Sequence, residues 1–143
     1  MSNPKRILIV DDDEKNVELI LTALAHQTFP CDTVVACDGA EALDYLHGRG
    51  KFQGRNGAQP AVVLLDLKMP RVDGFEFLRE LRASETLKTI PAVVFTSSSD
   101  ERDRLKSYEL GANAYVVKPV DFEEFLEVVQ AVGRFWAVIN QTV

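Results

Sequence analysis

The chain has 143 residues, 46% of them hydrophobic, which suits one compact domain with a buried sheet covered by helices. Its net charge of −6 argues against a nucleic-acid-binding face and offers no attraction to anionic lipid. Cys31 and Cys37 form neither a disulfide framework nor a CxxC, and they read as small, partly buried apolar residues.

The first six residues carry charges with no apolar run of signal-peptide type behind them, and no segment reaches the length of a membrane span. A cytoplasmic protein is expected. The first apolar run, 7–10, ends in three acids. Like the runs at 62–65, 92–95 and 114–117 it is continuous rather than alternating, as in strands buried on both faces. A weaker strand fits 33–37. Val17, Leu19, Ile20, Leu21 and Leu24 mark a first helix, with Asp13 as its cap. Asp38 and Glu41 have capping-box spacing and open a second helix. A long loop with four glycines, 47–60, leads to the third strand and is expected opposite the strands' carboxyl ends. A third helix starts near Gly74, a fourth spans 101–110 and stops at Gly111, and a fifth starts at Asp121, three residues before Glu124. Five strand–helix repeats predict a doubly wound α/β fold with right-handed crossovers.

Ligands of such sheets bind outside the carboxyl ends of the strands. The residues found there are Asp11, Asp12 and Asp13, then Asp66, then Thr96, Ser97 and Ser98, then Lys118 and Pro119. Carboxylates gathered in one place repel one another, and a hard cation such as Mg²⁺ relieves the repulsion. A carboxylate among the ligands can attack a phosphoryl group. Lys118, the Thr96 hydroxyl and the Ser97 N–H are donors suited to the charge of the transferring group.

Taken in order, Ile7-Leu-Ile-Val-Asp-Asp12, Leu64-Leu-Asp-Leu-Lys-Met-Pro70 with Asp73-Gly74, Phe95-Thr-Ser97, Gly111-Ala112 and Tyr115-Val-Val-Lys-Pro119 resemble the response-regulator receiver domains of two-component signalling. The resemblance covers about 5–136 of a single receiver domain, 1–143, with an extended C-terminal helix and tail. It implies a flavodoxin-like five-stranded parallel sheet in the order 2-1-3-4-5 with five helices. It implies Asp66 as phosphoacceptor, Asp12 as a direct Mg²⁺ ligand, Asp11 reaching the metal through water, and the Lys68 backbone carbonyl as third protein ligand. Mn²⁺ or Ca²⁺ would substitute. Thr96 and Ser97 would bind the phosphoryl group, Lys118 would pair with one of its oxygens, and Tyr115 would change rotamer in concert with Thr96. A cis peptide is implied at Pro119. Lys68 and Ser98 occupy positions that tune phosphoryl lifetime in the family. Such a receiver catalyses its own phosphorylation and dephosphorylation, takes its phosphoryl group from a sensor histidine kinase, and has no separate output enzyme; no DNA-binding unit is expected after it.

On the fifth helix Phe122, Phe125, Leu126, Val129, Val132, Trp136 and Ile139 form a stripe expected to pack on the sheet. Val128, Ala131, Phe135 and Val138 form a second stripe, and Val128, Phe135 and Val138 are therefore candidates for a homodimer contact. The Phe135-Trp136 pair and the long loop resemble single-domain regulators that partner phytochrome histidine kinases of the cyanobacterial and bacterial type, so a bacteriophytochrome is an expected partner. Two other readings compete. A pseudo-receiver would lack an acid, the threonine or the lysine, and none is missing. A haloacid-dehalogenase-type phosphohydrolase would place its nucleophile after the first strand and add a late acidic pair, which is absent here.

Overall fold

The computed structural model describes residues 5–55 and 59–143. The reading of the extreme N-terminus as free of a leader, and the middle of the long loop, lie outside the described residues.

Strands β1 (Lys5–Val10), β2 (Cys31–Ala36), β3 (Val62–Leu65), β4 (Ala92–Thr96) and β5 (Ala114–Val117) alternate with helices α1 (Glu14–Ala25), α2 (Gly39–His47), α3 (Gly74–Ala83), α4 (Glu101–Glu109) and α5 (Phe122–Arg134). The strands form one parallel sheet in the order β2-β1-β3-β4-β5, the flavodoxin-like arrangement expected. Its two faces sort the strand residues by their period of two. Leu8, Val10, Val63, Leu65 and Val94 face α2 and α3, where Leu43, Leu46, Phe77, Leu78 and Leu81 complete one core. Ile7, Ile9, Val62, Leu64, Val93 and Phe95 face α1 and α5, where Ile20, Leu24, Phe125 and Val129 complete the other. Burial on both faces explains why the runs of β1, β3 and β4 are continuous in sequence, whereas the edge strand β5 is only partly buried and its Val117 is exposed.

Every α-helix begins on an aspartate. The side chains of Asp13, Asp38, Asp73, Asp100 and Asp121 each accept a hydrogen bond from a backbone N–H of the first turn. That satisfies otherwise orphaned donors and favours the positive end of the helix dipole. Asp73 and Asp100 add to the caps expected at Asp13, Asp38 and Asp121.

Three expectations need correction. β2 begins at Cys31 rather than at 33, because its parallel register with β1 runs the full length from Lys5 opposite Cys31 to Val10 opposite Ala36. Cys37 falls beyond the strand end and is exposed, so only Cys31 is partly buried. The packing stripe of α5 also shifts. Phe122 and Ile139 are 54% exposed, whereas Gly133 and Ala137 are buried. Gly133 lets α5 lie against α1, since a Cβ there would stand 2.7 Å from Leu24 Cδ2. After Arg134 the helix widens into a π-helical turn, Phe135–Ile139, closed by the Asn140 N–H donating to the Phe135 carbonyl at 2.6 Å. The wider turn adds a residue per hydrogen-bonded ring and brings Ala137, not Ile139, onto the core.

Candidate functional site

Four strand ends deliver the polar residues singled out above. The Asp11 N–H donates to the Ala36 carbonyl at 3.1 Å, and the Asp66 N–H to the Val10 carbonyl at 2.9 Å. Both aspartates therefore leave the sheet still tied to its ladder. Lys118 is tied likewise, through its N–H to the Thr96 carbonyl at 2.7 Å.

The side chains converge. Asp11, Asp12 and Asp66 each offer a carboxylate oxygen, and these oxygens lie within 4.8 Å of one another. The Lys118 ammonium donates to Asp11 Oδ2 at 2.7 Å and to Asp66 Oδ2 at 3.4 Å. Asp11 and Lys118 are only 3% and 8% exposed, Asp66 is half-buried and Asp12 is exposed. One ammonium thus bonds two of the three clustered carboxylates. Burial pushes the Asp11 carboxyl above its ordinary value, although its bonds from Lys118 and from the Asp13 N–H oppose the shift; the charge of Asp66 adds to it. The excess negative charge in a partly desolvated pocket makes the cluster fit a hard divalent cation, whose charge would stabilise the ionised acids.

Asp66 is engaged at both carboxylate oxygens, closely at one and loosely at the other. Its Oδ1 accepts the Leu67 N–H at 2.8 Å, while Oδ2 faces Lys118. The chain then loops through Lys68, whose side chain is exposed, and returns so closely that only glycine fits at 74. A Cβ there would stand 2.5 Å from the Asp66 carbonyl oxygen.

Thr96 is 1% exposed, and its Oγ1 accepts the Ser98 N–H at 3.3 Å. Ser97 is exposed beside it. The Tyr115 hydroxyl donates to the Ser98 carbonyl at 2.9 Å. Ser98 Oγ donates to Asp103 Oδ2 at 2.7 Å and accepts the Asp100 N–H at 3.2 Å. The loop after β4 is therefore held by Thr96 from within, by Tyr115 from β5 and by Asp103 from α4.

The peptide bond before Pro119 is trans, as no cis bond occurs among the described residues. This corrects the expectation. The trans form is favoured before proline as before other residues, though by less, and Lys118 reaches both acids without the cis form. Val128 is a second correction, since it is half-buried against the core shared by α1 and α5. Phe135 and Val138 do remain outside, 45% and 46% exposed. Sequence reasoning missed two partners: Asp103, read only as part of a helix, and Arg71, which grips Asp38. Neither pair has a spacing that announces it, because each joins separate elements.

The response regulator receiver domain model matches residues 7–130 of the chain. Response regulator Rcp1 of Synechocystis sp. is 35% identical over 93% of this chain and 89% of its own length. The structure of the phosphorylated cyanobacterial phytochrome response regulator RcpA superposes with a TM-score of 0.91 at 36% identity, covering 98% of this chain and 99% of that one. The bacteriophytochrome response regulator AtBRR is 49% identical, with a TM-score of 0.78 over 98% of this chain and all 100% of its own. The family model spans most of the chain, and these relatives match it over nearly their whole length: the chain belongs to the response regulator receiver domain family.

Proposed function

We propose that this receiver accepts a phosphoryl group from a sensor histidine kinase onto Asp66. The observation that carries the reading is the bridge of Lys118 between Asp11 and the half-buried carboxylate of Asp66. Asp66 Oδ2 attacks the phosphorus of the kinase's phosphohistidine. A P–O bond forms as the P–N bond breaks, and the imidazole leaves with the electron pair. Lys118, the Thr96 hydroxyl and the Ser97 N–H are the donors for the phosphoryl oxygens. The carboxylates of Asp11, Asp12 and Asp66 and the Lys68 carbonyl would hold Mg²⁺, or Mn²⁺ or Ca²⁺ in its place. When bound, the cation supplies positive charge against the acids and the incoming phosphoryl oxygens.

The readout runs through Thr96 and Tyr115. Turning the Thr96 hydroxyl toward a phosphoryl oxygen takes it from the Ser98 N–H, and a new rotamer of Tyr115 releases the Ser98 carbonyl. α4 is poised to respond, because Ser107 is its only buried residue. Its own Leu105 and Tyr108 are exposed, as is Val117 of the neighbouring β5. Repacking of this face changes protein contacts.

Likeness to RcpA and AtBRR, both described as phytochrome response regulators, supports a phytochrome-type histidine kinase as the partner. Coverage of most of Rcp1 supports a stand-alone regulator made of this one receiver. The exposed Phe135 and Val138 support a homodimer, and sedimentation of Phe135→Asp against the native protein tests it: equal masses remove that reading. No described helix is long and apolar enough to cross a membrane, in keeping with a cytoplasmic site of action.

For the acceptor, beryllofluoride with Mg²⁺ is expected to shift the amide NMR spectrum of the native protein and to leave that of Asp66→Asn unchanged. The same shift in Asp66→Asn would reject Asp66.

A further inference from the structure

The loop from Asp66 to Gly74 is closed at its base, where the Gly74 N–H donates to the Leu67 carbonyl at 2.9 Å. Its far side is moored to a different part of the fold, the junction of β2 and α2. Arg71 donates from Nε to Asp38 Oδ2 at 2.7 Å and from Nη2 to Asp38 Oδ1 at 3.0 Å, a two-point grip. The Gly39 N–H donates to the Val72 carbonyl at 2.9 Å beside it. The approach is tight enough that a Cβ on Gly39 would stand 2.4 Å from that carbonyl oxygen.

Two features say that this mooring is built rather than incidental. Arg71 is the only described non-glycine residue with positive φ, at 63°. That left-handed conformation is unfavourable for an L-residue, and the Asp38 grip holds it. Asp38 in turn is 4% exposed and already caps α2 through the Glu41 N–H at 2.8 Å, so its carboxylate is aimed and held before Arg71 arrives. Lys68, Met69 and Pro70 are the arc suspended between the base of the loop and this anchor.

We infer that Arg71 and Asp38 form a latch that positions the Lys68 backbone carbonyl for the divalent cation. The inference rests on the reading of that carbonyl as a metal ligand. Arg71 and Asp38 are positioning residues: they touch neither the cation nor the phosphoryl group. Partners that orient a metal ligand typically matter roughly tenfold or more to affinity.

The test is Mn²⁺ binding followed by the EPR signal of the free ion, in the absence of any phosphodonor. Arg71→Gly removes the grip while suiting the left-handed backbone, and Asp38→Asn keeps the helix cap while losing the carboxylate. The latch predicts that both weaken Mn²⁺ binding, by roughly tenfold, with Arg71→Lys restoring part of the loss. If Arg71 acted only through its charge, removing it would tighten binding of a cation. Unchanged or tighter binding by Arg71→Gly, with Asp12→Asn still abolishing it, overturns the latch and leaves the metal site standing. No Mn²⁺ binding by the native protein overturns both.

Discussion

At the carboxyl ends of the strands one buried ammonium bonds two of three clustered carboxylates, whereas at the amino ends the Arg82 guanidinium faces only neutral oxygens. Arg82 donates to the carbonyls of Lys88 and Gly111 at 2.9 Å, to that of Ile90 at 2.7 Å, and to Asn113 Oδ1 at 2.9 Å. Asn113 Oδ1 also takes the Ala92 N–H at 2.8 Å, so the starts of β4 and β5 are stitched through one side chain. Both ends bury polar groups and bond them. They differ in balance. The amino end is satisfied as it stands and contributes to stability. The carboxyl end gathers three carboxylates around one ammonium, and the acids it leaves uncompensated among the described residues repel until something positive arrives. Unbalanced charge on rigid strand ends is the mark of a site, because a fold selected only for stability would not keep it.

The comparison can be broken most directly at Lys118. Lys118→Met should lower phosphoryl transfer to Asp66 by about 10²–10³-fold, equivalent to about 2.7–4 kcal/mol of transition-state stabilisation. The same change should tighten Mn²⁺ binding, since it removes a cation from the carboxylates; weaker Mn²⁺ binding would mean that Lys118 organises the acids rather than competing for them. Arg82→Ala should do the reverse. It should cost about 2–3 kcal/mol in urea unfolding, from acceptors left without their charged donor, while beryllofluoride binding stays as in the native protein. Loss of that binding would couple the two ends and erase the distinction.

Smaller effects sharpen the picture of the carboxyl end. Tyr115→Phe deletes one hydrogen bond to the Ser98 carbonyl and should cost about 1 kcal/mol in the unphosphorylated protein. It should cost nothing once beryllofluoride is bound, if Tyr115 leaves that bond on activation. The Asp38–Arg71 pair should give the smallest effect, read as pH dependence. Burial works to raise the Asp38 pKa, but the bonds from Arg71 and the Glu41 N–H outweigh it and hold the carboxyl below its ordinary value. A depressed carboxylate adds stability above the unfolded pKa of about 3.9 and loses it as pH falls through the lower folded value. The stability gap between the native protein and Asp38→Asn should therefore be present at neutral pH and close below about pH 4. A gap that persists there would assign the difference to something other than the ion pair.

Much of this was legible in the chain itself. Continuous runs such as Val62–Leu65 announced strands covered on both faces, and the aspartates at 13, 38 and 121 announced helix starts, because both signals depend on neighbours in sequence. The site was legible for a related reason. Parallel strands all end on the same side, so polar residues that follow each run must share one edge. Asp11, Asp66, Thr96 and Lys118 could be placed together without coordinates.

What tertiary structure decided lies between elements. The trans bond before Pro119, the turn of α5 that buries Ala137 and exposes Ile139, the bond from Ser98 to Asp103 and the grip of Arg71 on Asp38 all depend on where one element meets another. Periodicity assumes an unbroken 3.6-residue helix, and it fails where the π-turn changes the count. Which acids gather around Asp66 follows from the order of residues along the chain, because strand direction alone puts them there. Only the packed fold decided how that unbalanced charge is held, because holding it takes side chains from elements far apart in the chain.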